Sequence, residues 1–199
     1  MPKPHATLWL LPLRDQIVQL GFQSALSMQV AEFVERVEKR SGKVLEASGL
    51  AAREIPVKWT RWESEWNRAA RERELVVALG AFGQSVYISV HGTATPLELA
   101  QHNVAADAVL LDHPSAGHRA QVMLSAGLPC RWEKEDAILV SLAEELYYQA
   151  SERLGHASPL PVVEEAARGR FVQEVLGLPF NPWIVTMLAE ASRKAPAGG

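Results

Sequence analysis

Ser85-Val-Tyr-Ile-Ser-Val90-His91-Gly92-Thr93 and Asp107-Ala-Val-Leu-Leu111-Asp112-His113-Pro114 are the two stretches whose reading decides the expected fold. The first is rich in β-branched and aromatic residues, which suit a pleated, half-buried surface. The second is a short apolar run bounded by turn-forming residues, the pattern of a buried strand. Between them, Thr95-Pro96-Leu97-Glu98 combines a capping-box spacing with proline at the first helical position, predicting a helix that reaches about Ala105. Ser115 can cap a further helix through Ser125, closed by Gly127. Strand, helix, strand, helix at this spacing is the signature of parallel βαβ units. The expected fold is therefore α/β: an open, mainly parallel sheet flanked by helices, with a C-terminal helical segment.

Working outward, Thr7–Leu13 reads as a buried strand whose end Pro12 pushes toward an edge or turn. A helix falls within Arg14–Ser41. In it Met28, Ala31, Phe33, Val34 and Val37 oppose Glu32, Glu35, Arg36, Glu38 and Lys39, and Gly42 is a natural residue just past its end. Ile55–Trp59 fits a short edge strand. Trp62, Trp66, Ala69, Ala70 and Val76 or Val77 recur at helical spacing up to Gly80, predicting either one helix to Gly80 or a helix to about Arg73 with a strand over Leu75–Leu79, and the second is expected. Leu128–Trp132 can supply another short strand. Asp136–Leu154 reads as an amphipathic helix followed by Gly155, and Val162–Leu176 and Pro182–Ser192 as two shorter helices parted by Gly177–Pro182. No repeat or low-complexity linker interrupts the chain, so residues 1–194 are expected to form one domain, with 195–199 a disordered tail.

Bulk properties restrict the function classes. The 199 residues are 48% hydrophobic and 22% charged, ordinary values for a chain that folds around one core. A formal net charge of −3 gives no basic field that would draw the whole chain to nucleic acid. The apolar run after Lys3 is short, holds Pro12 and lacks a small-residue cleavage pattern, and no run approaches a membrane span. A soluble, cytoplasmic protein is expected. The single cysteine, Cys130, excludes an intrachain disulfide and reads as a small buried hydrophobe.

The chain has no phosphate loop, dinucleotide fingerprint, zinc helix or nucleophile elbow. Its positive signal is the placing of histidines. In open parallel sheets ligands collect beyond the carboxyl ends of strands. His91 follows one expected strand, and Asp112 and His113 follow the next. Neighbouring strands would bring these ends roughly 5 Å apart. Each end also feeds a helix N-terminus, whose free N–H groups favour phosphate or carboxylate, with Gly92, Thr93, Ser115 and His118 as binding residues. A histidine with a near-neutral pKa, oriented by Asp112, would serve as general acid or base. His102 falls inside the expected helix and is left out. A metal variant on His91, Asp112, His113 and His118 matches no known ligand spacing, so no metal is assigned, and the sequence names no cofactor.

A second cluster, Trp59-Thr-Arg-Trp62-Glu-Ser-Glu-Trp66, interleaves aromatic and charged residues, and packing is its simplest role. The pairs Glu144-Glu145 and Glu164-Glu165 read as solvated helix faces. Two functions stay open. One is a hydrolase or transferase acting on a small anionic, phosphorylated substrate such as a nucleotide, with His91, Asp112 and His113 catalytic. The other is a non-catalytic ligand-binding or protein-interaction module, which would meet a partner through Trp59–Trp66 or through an exposed apolar patch at Phe180–Trp183 in the C-terminal helices.

Overall fold

The computed structural model describes residues 6–50, 65–89, 100–103, 108–112, 121, 133–155, 160–178 and 180–194. In chain order they form a 3-10 turn (Ala6–Leu10), α1 (Leu13–Gln19), a second 3-10 turn (Phe22–Ala25), α2 (Val30–Ala47) and α3 (Glu65–Gly80). Three short strands follow, β1 (Ser85–Ser89), β2 (Ala100–Asn103) and β3 (Ala108–Asp112), then α4 (Lys134–Arg153), α5 (Pro161–Leu176) and α6 (Pro182–Lys194).

α4 is the hub. Every residue from Asp136 to Ala143 is buried, and so are Glu145, Leu146, Tyr147, Gln149, Ala150 and Ser151. A helix buried over most of its length is a core element, and α3, α2 and α5 all pack on it, the last two also on each other. Its polar residues are satisfied locally. The Glu133 N–H donates to Asp136 Oδ2 at 2.8 Å, Ser141 Oγ to the Ala137 carbonyl at 3.1 Å, and Gln149 Nε2 to Glu145 Oε1 at 2.8 Å. Glu145 is thus interior, not part of a solvated face. At the far end Arg153 stacks over Phe82, 3.8 Å from the ring centroid, and donates to the Ala81 carbonyl, fixing the turn that enters β1.

α2 turns Phe33, Val37, Ser41 and Val44 inward and leaves Glu35, Glu38 and Lys39 in water, as its period requires. It does not stop at Gly42. The helix runs on to Ala47, Ser48 Oγ accepts the Leu50 N–H at 3.2 Å, and Gly49 takes the left-handed conformation with φ of 74°.

At the C-terminus, Gly177 (φ 64°) ends α5, and Asn181 starts α6 by accepting the Trp183 N–H on Oδ1 at 2.9 Å, with Pro182 at the first helical position. Asn181 Nδ2 reaches back to the Ala166 carbonyl at 3.3 Å. The rings of Phe180 and Trp183 are 0% and 3% exposed, so the apolar patch expected there is core. Trp183 packs against Phe33 at 5.5 Å and Phe22 at 6.4 Å, and Phe180 meets Trp9 edge-on at 5.8 Å.

The fold is predominantly helical, which corrects the expectation of an α/β protein with an open, mainly parallel sheet flanked by helices. The described strands are four or five residues long and form a mixed sheet in the order β1-β3-β2, with β1 parallel and β2 antiparallel to β3. Two segments expected as strands are helical. In Thr7–Leu13, Leu8 is 5% exposed and Leu10 70%, although a strand would place both on one face. In Leu75–Leu79, Leu75, Ala78 and Leu79 are buried while Val76 and Val77 are exposed, a helical period inside α3. Conversely, Ala100–Asn103 is a strand where a helix was expected, and His102 lies in it. No helix among the described residues is long and apolar enough to cross a membrane.

Candidate functional site

The chain leaves the Phe22–Ala25 turn, runs through Leu26–Gln29 and enters α2 without a side-chain cap. This entry and the start of α5 border an open groove of about 640 Å³. Leu26, Met28 and Leu160 give it apolar surface continuous with the core, and Ser27, Gln29, Glu32 and Arg36 give it polar surface. Arg36 Nη2 and Glu32 Oε1 are 2.6 Å apart, and both side chains are about half exposed. Such an i,i+4 pair contributes only about 0.3–0.5 kcal/mol, so either partner can be drawn to a ligand at little cost.

One helical turn beyond Arg36 the seam between α2 and α5 closes on a buried polar node. Arg40 Nε donates to Glu164 Oε2 at 3.1 Å and Nη2 to Oε1 at 3.2 Å. The Tyr147 hydroxyl donates to Glu164 Oε1 at 2.7 Å, Ser151 Oγ donates to it at 3.2 Å, and Arg40 Nη2 also donates to Ser151 Oγ. One carboxylate thereby ties α2, α4 and α5 together. The Arg40 and Glu164 side chains are only 12% and 17% exposed, so Glu164 is not the solvated residue its sequence context suggests. Burial works against the Arg40 charge, but Glu164 and then Tyr147 together more than offset it, and the guanidinium pKa lies above its ordinary value.

Burial first, then the hydrogen bond and charge of Glu164, raise the Tyr147 pKa, with Arg40 offsetting part of the effect. A raised pKa means that the Tyr147 contribution to stability is complete below the unfolded value near pH ~10 and is lost as pH rises through the folded value. Denaturation midpoints of Tyr147→Phe should therefore change less between about pH 9 and about pH 11 than those of the wild type. An identical alkaline dependence in both proteins would contradict this assignment.

Of the site residues expected from sequence, Asp112 is described. It ends β3 in register with Ser89, the last residue of the parallel strand β1. His91, Gly92, Thr93, His113, Ser115 and His118 lie outside the described residues, as do Cys130 and residues 51–64. Trp66 falls in α3, as expected. Among the described residues no three His, Cys, Asp or Glu side chains are placed to hold a metal ion. The groove and the node escape sequence reading because their members come together from opposite ends of the chain. Arg40 and Glu164 are 124 residues apart, and nothing local to either signals the other.

No protein-family model, no curated protein and no solved structure matches this chain.

Proposed function

We propose that this chain is a small-ligand-binding module whose site is the groove at the entrance to α2. The carrying observation is the groove itself: an open, mainly polar depression of about 640 Å³ in which Leu26, Met28 and Leu160 give apolar surface beside the Glu32–Arg36 pair. The apolar surface would bind a ligand body and the charged pair would orient its polar end. The test is a thermal-shift screen of small amphipathic acids, amines and amino acids against wild type and Met28→Glu. A true ligand at a hundred times its Kd adds about 2.7 kcal/mol, roughly 5–10 °C in a domain of this size. That shift should vanish in Met28→Glu. A screen without a stabilising compound, or a shift unchanged in the variant, would overturn the reading.

A second reading is favoured by the β1–β3 register. Ser89 and Asp112 end neighbouring parallel strands, and His91 and His113 follow them in sequence by two residues and one. That juxtaposition supports a hydrolase or transferase acting on a small phosphorylated substrate, with His91, Asp112 and His113 as its acid, base and orienting groups. Here the screen uses phosphate, nucleotides and phosphosugars, and stabilisation should be lost in His91→Ala. A ligand effect that survives His91→Ala would count against this site. A cytoplasmic setting, in which the lone Cys130 stays reduced, suits both readings.

A further inference from the structure

We draw no further inference here: the strongest candidate, the exposed apolar surface carrying Val77 of α3 and Tyr87 of β1, is a face for which nothing in the structure shows what covers it.

Discussion

Gly169→Ala should lower the unfolding midpoint by roughly 6–12 °C, although alanine is the better helix former. A Cβ at residue 169 would lie 2.1 Å from Asn181 Oδ1 and 2.9 Å from both the Cβ and the backbone nitrogen of Trp183. The first contact can be relieved only by moving an Asn181 side chain that is 1% exposed and bonded to the Trp183 N–H and the Ala166 carbonyl. The others involve backbone and the root of a buried indole. Overpacking of this kind costs about 1–3 kcal/mol, and each lost hydrogen bond adds about 1 kcal/mol. Against this stands a gain of about 1 kcal/mol in helix propensity, leaving a net loss of about 3 kcal/mol. Gly42→Ala is the matched control. Gly42 is also inside a helix, but a Cβ there meets nothing within 4 Å, so the same substitution should stabilise by about 0.5–1 kcal/mol. Thermal melts followed by circular dichroism separate the two. If both variants gain stability, the close approach of α5 to the start of α6 is not as described.

Glu164→Ala should cost about 2–3 kcal/mol, far more than removal of an exposed carboxylate such as Glu32. The loss arises less from attraction forgone than from what stays behind: a nearly buried Arg40 guanidinium with only Ser151 Oγ left to accept from it, and a buried Tyr147 hydroxyl without its acceptor. The value sits below the range of about 3–5 kcal/mol for fully buried pairs because Arg40 retains some access to water. The double variant Arg40→Met, Glu164→Leu should recover the part of the loss that comes from the unpaired guanidinium, since two apolar side chains replace two charges, while the Tyr147 hydroxyl still lacks its acceptor. Urea denaturation of wild type, Arg40→Met, Glu164→Leu and the double variant completes the cycle. Additive losses would mean that Arg40 and Glu164 do not act as a pair.

Sequence signals were most readable where local chemistry and tertiary packing agree. Gly155, Gly177 and Pro182 punctuate the C-terminal half, and the helices they bound stand within about two residues of expectation. The strands at Ser85–Ser89 and Ala108–Asp112 follow their β-branched and apolar content. Misreadings came from short apolar runs. Leu75-Val-Val-Ala-Leu79 suits a strand by composition and a helix by spacing, and burial of Leu75, Ala78 and Leu79 decides for the helix. At Ala100–Asn103 a helix-start signal a few residues earlier was outweighed by pairing with β3, a non-local contact invisible to propensity. The errors run in both directions: two apolar runs expected as strands are helical, and one segment expected as helix is a strand. The groove was illegible for a simpler reason, since Leu160 joins Leu26 and Met28 from the other end of the chain.

The edge-on contact of Trp9 with Phe180 sets a schedule for synthesis. A ribosome adding about 5–20 residues per second needs roughly 9–34 s to travel from the first ring to the second. Through that interval α2 carries Phe33, Val37 and Val44 without the α5 surface against which it packs. Folding of the α2–α5 seam during translation must therefore wait until α5 has been made, and until then the apolar face of α2 is open to association with other chains.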